Sequence, residues 1–158
     1  MSATQDTDDR PGEPQLRVVV ATGDRLETWR SIHNQVIPTA PLSAAEVAER
    51  SGRHRLTLAY VGGTVVGNAT LRPPAQPGGV ATVIVRILPP HRRKGHGTAY
   101  LAAELAVTRT LAPARIETVV HASNTSGLEF ALKHGFVEHD RYVLDGDDTA
   151  FVDLHLTN

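Results

Sequence analysis

The sequence predicts an α/β protein in which a mixed sheet carries helices on its faces. Three observations lead there. Strand-like and helix-like segments alternate through the middle of the chain, hairpin patterns flank that alternation on both sides, and one run, residues 80–88, is apolar and β-branched. Such a run reads as a central strand covered on both faces, unlike the alternating pattern of a half-wet strand.

Each element follows from local chemistry. Leu16–Val20 (LRVVV) is a short β-branched run and predicts a strand. Leu26, Trp29, Ile32, Val36 and Ile37 recur at helical spacing, and Pro38 ends that helix because the residue before a proline avoids the α region. Ser43-Ala-Ala-Glu46 has the form of a capping box, so a second short helix runs to about Arg50. Arg55–Val61 and Thr64–Leu71 read as strands joined through Gly62-Gly63, a link that tolerates positive φ. Arg72–Gly79 is a turn-rich loop, and Val80–Leu88 is the central strand, stopped by Pro89-Pro90. A helix follows from Thr98 to about Leu111, with Leu101, Leu105 and Thr108 on one stripe. Ile116–His121 is a strand, and Ser126–His134 a short helix closed by Gly135. Phe136–Leu144 and Ala150–Leu156 are the last strands, joined through Asp145-Gly146-Asp147-Asp148. The order is β-α-α-β-β-β-α-β-α-β-β.

Composition narrows the function. The chain has 158 residues, about one ordinary domain, with 41% apolar residues and a formal net charge of −1. That balance argues against a general electrostatic grip on nucleic acid. There is no cysteine, which removes disulfides, thiolate metal sites and cysteine nucleophiles. Eight histidines are present, but no HxH or HxxxH pair, so no metal ligand set is assigned. Residues 1–14 are polar and acidic; they read as a disordered or loosely attached tail, with residues 15–158 forming a single domain. Neither a targeting segment nor a membrane span is recognisable, and the expected location is cytoplasmic.

The chemistry concentrates after the central strand. There Arg92-Arg93-Lys94-Gly95-His96-Gly97 leads into the helix that opens at Thr98. Glycines let the backbone turn tightly and approach a ligand, and a helix N-terminus offers unpaired N–H groups and a positive dipole end. Arginine forks and a lysine point charge suit phosphate. The alternative is a solvated basic turn before an ordinary helix. The P-loop string G-x-x-x-x-G-K-[ST] is absent. A dinucleotide fingerprint G-x-G-x-x-G is met at Gly95 and Gly97, but Tyr100 stands at the third glycine position and would block close helix–strand contact.

These residues resemble a family. Arg92-Arg-Lys-Gly95-His-Gly97 fits the [Q/R]-x-x-G-x-[G/A] loop of the GCN5-related N-acetyltransferases, the GNAT superfamily. Ile87-Leu-Pro89-Pro-His-Arg92 looks like the strand end V-x-P-x-x-R before it. Asn124-Thr-Ser-Gly127-Leu-Glu-Phe130 and Gly135-Phe136 resemble the second block, one helix and one strand downstream. The resemblance covers about residues 16–156. It implies a mixed, mostly antiparallel sheet of six to seven strands with about four helices, splayed between the fourth and fifth strands. It also implies acetyl transfer from acetyl-CoA to a primary amine of a small molecule or peptide. The coenzyme A pyrophosphate would lie on Arg92, Arg93, Lys94, Gly95, His96, Gly97 and Thr98, pantetheine on the backbone of Ile87 and Leu88, and Asn124 would line the channel.

Two positions depart from that pattern. Many members place a tyrosine seven residues after this asparagine, as acid for the leaving thiolate; here it is Ala131. Many place a glutamate on the fourth strand; Ala81–Leu88 contains no carboxylate. His121, three residues before Asn124 at a strand end, is the nearest titratable candidate for catalysis, since an unperturbed imidazole with pKa about 6.5 suits proton handling near neutral pH. The alternatives are a strand-end histidine with a structural role only, and a reaction that relies on desolvation of the amine. His33, Asn34 and the Pro38–Pro41 loop fall where the family builds its acceptor wall. Trp29, Phe130 and Phe136 read as core. The partners expected are the acceptor amine and, as a homodimer, a second copy; nucleic acid and membrane are not expected. Two other readings stand beside the enzyme: a non-catalytic acyl-CoA-binding module and a dinucleotide-binding protein.

Overall fold

The computed structural model describes residues 15–146 and 149–156. The element order matches the expectation: β1 (Leu16–Val20), α1 (Arg25–Val36), α2 (Ala44–Ser51), β2 (Arg55–Val61), β3 (Thr64–Arg72), β4 (Val80–Ile87), a 3₁₀ turn (Pro89–His91), α3 (His96–Arg109), β5 (Arg115–His121), α4 (Thr125–Lys133), β6 (Phe136–Tyr142) and β7 (Phe151–Leu156). The expected acidic tail, 1–14, and part of the Asp145–Asp148 turn lie outside the described residues.

Several boundaries move by one or two residues, and three of these shifts have a visible reason. The third helix opens at His96 rather than Thr98, because the Gly95 carbonyl already accepts the Ala99 N–H at 3.2 Å. Leu88 leaves β4 for the bend before the 3₁₀ turn, although its N–H still reaches Val66 O at 2.8 Å. β6 stops at Tyr142 because its partner there, Phe151, is the first residue of β7.

One seven-stranded sheet runs in the order β1-β2-β3-β4-β5-β7-β6. β1 pairs antiparallel with β2, and β7 antiparallel with both β5 and β6. β4 and β5 are parallel, which requires a crossover connection, and α3 supplies it. Their register covers Val80–Arg115 to Thr82–Glu117, while β4 continues to Ile87 and β5 to His121. With four α-helices among the described residues, the fold is the mixed α/β architecture expected.

The chain forms two compact units, residues 15–69 with 85–103 and residues 70–84 with 104–156. The core of the first gathers Trp29, Ile32, Leu42, Val47, Leu56 and Leu58. Trp29 is fully buried, and its indole N–H donates to Ala69 O at 3.1 Å, so the ring anchors α1 without an orphaned donor. Side chains of α1 also hold the loop that follows it. Arg30 Nε and Asn34 Nδ2 donate to Leu42 O, Asn34 Oδ1 accepts the Leu42 N–H, and His33 Nε2 meets Ala40 O at 3.1 Å. Burial, reinforced by the nearby Arg86 charge, lowers the His33 pKa to about 4.

The second unit is built on a period of two. Thr118, Val152 and Leu154 turn to the buried side, with Ile116 and Phe136 also buried. The opposite face of the same strands carries Glu117, Val119 and His121 against His155, Asp153 and Phe151. No helix among the described residues is long and apolar enough to cross a membrane.

Candidate functional site

The two expected backbone positions at the end of β4 have different duties. In an extended strand the N–H and C=O of one residue point to the same edge, and successive residues alternate. Leu88 N–H is bonded to Val66 O, toward β3, so Ile87 presents its groups at the opposite edge. The Ile87 carbonyl accepts from Arg92 Nε at 2.7 Å. Arg92 therefore ties the loop to the strand end, with the rest of its fork exposed.

Beyond Arg92 the chain turns sharply into α3. Arg93 has φ +63° and Gly95 φ +85°, both in the left-handed region. A β-carbon at Gly95 meets nothing within 4 Å, so space is no obstacle there; the positive φ is what favours glycine. Backbone of this kind turns successive N–H groups toward one side and makes a concavity suited to anions. The first-turn N–H groups of α3, at His96 and Gly97, have no acceptor one helical turn back, and Gly95 has no side chain to offer one. Arg92, Arg93, Lys94 and Gly95 are exposed, and His96 and Gly97 half-buried.

The electrostatics agree with an anion. Between Glu49 and Glu104 the sequence contains no acidic residue, whereas Arg50, Arg53, Arg55, Arg72, Arg86, Arg92, Arg93 and Lys94 all fall in that stretch. The chain's net charge of −1 concealed this block of eight cations. The His96 imidazole is held below its ordinary pKa by partial burial, then by Lys94 and His91, so the loop already resists further positive charge. A pyrophosphate fits this donor set: three adjacent cations, helix-start N–H groups and no carboxylate within the loop itself.

Tyr100 occupies the third position of the dinucleotide fingerprint. Its ring is fully buried, and its hydroxyl lies 2.6 Å from Thr57 Oγ1. A packed aromatic ring there leaves no room for the close contact that fingerprint's last glycine serves.

His121 and Asn124 stand together on the second unit, at the two ends of one tight turn. Asn124 N–H donates to His121 O at 2.8 Å, and Ala122 N–H donates to Ala150 O at 2.8 Å. Asn124 is the N-cap of α4: its Oδ1 accepts the Gly127 N–H at 3.0 Å and the Ser126 hydroxyl at 3.2 Å. A β-carbon on Gly127 would lie 2.5 Å from Asn124 Nδ2 and 2.8 Å from Cγ, which explains glycine three residues after the asparagine. The His121 ring packs edge-on to Phe151 at 5.0 Å, with Ser123 Oγ 2.6 Å from its Nδ1. Phe151 in turn stacks on Tyr142, whose hydroxyl donates to Asp153 Oδ1 at 3.2 Å. Partial burial and then the Asp153 carboxylate raise the Tyr142 pKa, so the phenol keeps its proton. Ala131 is buried in α4.

Sequence reasoning missed one group. Arg86 lies within β4 and is 8% exposed. It donates to Asn68 Oδ1 at 3.2 Å and sits 5.7 Å over the Trp29 ring, while Asn68 Nδ2 donates to Trp29 O at 2.9 Å and His33 stacks on the same ring. The available signal was an arginine inside the apolar run VATVIVRIL.

Comparison with solved structures identifies the architecture. Ard1 from Thermoplasma volcanium superposes with a TM-score of 0.75 at 18% identity, over 90% of this chain and 99% of that one. The ribosomal-protein-S18-alanine N-acetyltransferase from Escherichia coli gives 0.74 at 18% identity, over 90% and 93%. The protein yncA from Salmonella typhimurium, with its cofactor acetyl-CoA, gives 0.71 at 14%, over 89% and 92%. Likeness at such identities speaks for the fold alone. A search among curated proteins finds no match. The family model described as Acetyltransferase (GNAT) family matches residues 24–136, most of the chain, and the chain belongs to that family.

Proposed function

We propose that this chain transfers an acetyl group from acetyl-CoA to a primary amine of a small molecule or peptide. The observation that carries the reading is the loop 92–98: two left-handed residues, three adjacent cations and the start of α3, within a stretch free of carboxylates. Bound there, acetyl-CoA supplies an acyl group activated as a thioester. Arg92, Arg93, Lys94 and the N–H groups of residues 95–98 hold the pyrophosphate, and the Ile87 edge of β4 orders the pantetheine arm. Asn124 lines the channel, and His121 is the catalytic residue, acting on the reacting groups through its imidazole.

An amine attacks only after losing its proton, and an alkylammonium with pKa near 10.4 is mostly charged at neutral pH. Acceptor binding must therefore favour the neutral amine, by desolvation or by a proton acceptor. The test pairs two measurements. Calorimetry with coenzyme A should show binding, and thiol release from acetyl-CoA should rise with particular members of an amine panel. Binding with no release across the panel would favour a non-catalytic acyl-CoA module; no binding would remove the reading.

A further inference from the structure

The turn after β5 fixes which nitrogen of His121 carries the proton. The Ser123 backbone N–H points at His121 Nδ1, 3.4 Å away. A backbone N–H can only donate, so Nδ1 presents its lone pair. The Ser123 hydroxyl, 2.6 Å from the same nitrogen, then donates as well. Two donors aimed at Nδ1 place the proton of the neutral ring on Nε2.

Neither partner is loosely held. Ser123 is the third residue of the turn closed by Asn124 N–H on His121 O, and Ala122 fastens that turn to Ala150. Phe151, directly across from His121 in the β5–β7 register, meets the ring edge-on at 5.0 Å and limits its rotation. A ring flip would bring Nδ1 away from both donors and cost the hydrogen bonds they make.

We propose that Ser123 is a positioning residue that holds His121 as the Nε2–H tautomer, so that the ring offers the substrate a hydrogen-bond donor at Nε2 rather than a base. A neutral imidazole of this kind binds a substrate oxygen on which negative charge develops, and its own proton stays on Nε2; as the C–N bond forms and the C–S bond breaks, the proton lost by the amine ends on the coenzyme A sulfur. The inference rests on the function proposed above, in that it takes His121 to face the reacting groups. Its first test needs neither substrate nor coenzyme.

Nitrogen-15 NMR of the ring at alkaline pH reports the tautomer directly. In the wild-type protein Nδ1 should resonate as an unprotonated nitrogen and Nε2 as a protonated one. Ser123→Ala should move both toward the averaged values of a mixed population, and Ser123→Thr should restore the wild-type pattern. A wild-type ring protonated at Nδ1, or a Ser123→Ala spectrum identical to wild type, would overturn the assignment.

Turnover with the amine found above supplies the second test. His121→Ala should lower kcat on the order of 10²-fold with coenzyme A affinity intact. His121→Gln, which can donate from its amide but cannot act as a base, should keep at least about a tenth of wild-type kcat. A glutamine variant as slow as the alanine variant would exclude the donor role. Absence of any acetyl transfer would instead count against the proposed function, and the NMR result would stand apart from it.

Discussion

α3 and α4 each follow a β-strand in the chain, yet their first turns are built in opposite ways. α4 caps itself: Asn124 spends its Oδ1 on the Gly127 N–H and the Ser126 hydroxyl, and Gly127 leaves room for that side chain. α3 follows Gly95, which has no side chain, and three cations precede it. Every helix start carries unpaired N–H groups and a positive dipole end. A dipole alone therefore does not make an anion site. What separates the two is whether the preceding residue caps the first turn with its own side chain, as Asn124 does, or lacks a side chain and follows a run of cations, as Gly95 does.

The sharpest way to break this comparison is to close α3 from within the backbone. Gly97→Pro removes one first-turn N–H and places a ring beside the loop, while proline is tolerated in a first helical turn. Coenzyme A affinity should fall by more than about 100-fold, with the thermal melt showing a folded protein. Unchanged affinity in calorimetry would show that the open helix start holds nothing.

Arg92→Ala should have the next largest effect. A hydrogen bond to a charged group contributes about 1.5–3 kcal/mol, and here the variant also releases the loop from Ile87 O. Coenzyme A should bind roughly 10- to 150-fold more weakly. Arg92→Lys keeps the charge but loses the Nε tie, and should fall between the two. A lysine variant equal to wild type would mean that charge alone matters.

A smaller effect distinguishes the helices by pH. His96 in the first turn of α3 has a pKa depressed by partial burial, Lys94 and His91. A bound pyrophosphate offsets those cations, so its pKa should rise on binding. The complex then takes up protons, and coenzyme A affinity should strengthen as pH falls through the bound pKa, levelling off below the free one. Calorimetry in buffers of different ionisation enthalpy measures that uptake; His96→Asn should abolish it. No proton uptake by the wild-type protein would place the phosphates away from this turn.

How much of this was legible beforehand differs between the two helix starts. The α3 loop was readable because its chemistry is local: glycine, arginine and lysine adjacent in sequence do the work, and only the onset of the helix, at His96 rather than Thr98, was misplaced. All seven strands and the capping box of α2 were readable for the same reason. The roles at the α4 start were not. The Asn124 cap depends on which groups its oxygen meets, and the His121 tautomer on a hydroxyl two residues away and a ring from β7. Arg86 was missed because an arginine in an apolar strand is recognised only once Asn68 and Trp29 are beside it.

The last prediction concerns the self-closed helix, where the effects are about 1 kcal/mol. Asn124→Ala removes the cap and should cost about that amount in urea denaturation. Gly127→Ala carries two opposed terms. Alanine is favoured over glycine in a helix by up to about 1 kcal/mol, but the new β-carbon lies 2.5 Å from Asn124 Nδ2 and forces the side chain off its cap. The substitution should therefore be near neutral in the wild-type background. With Asn124 already replaced by alanine nothing is left to displace, and the same change should stabilise by up to about 1 kcal/mol. The coupling between the two sites is then about 1 kcal/mol, and additive effects would mean that Asn124 does not cap α4. Coenzyme A affinity separates the asparagine's second duty from this one. Because Gly127→Ala displaces the Asn124 side chain without deleting it, a channel-lining role predicts weaker binding in Asn124→Ala than in Gly127→Ala, whereas a purely structural cap predicts the same affinity in both.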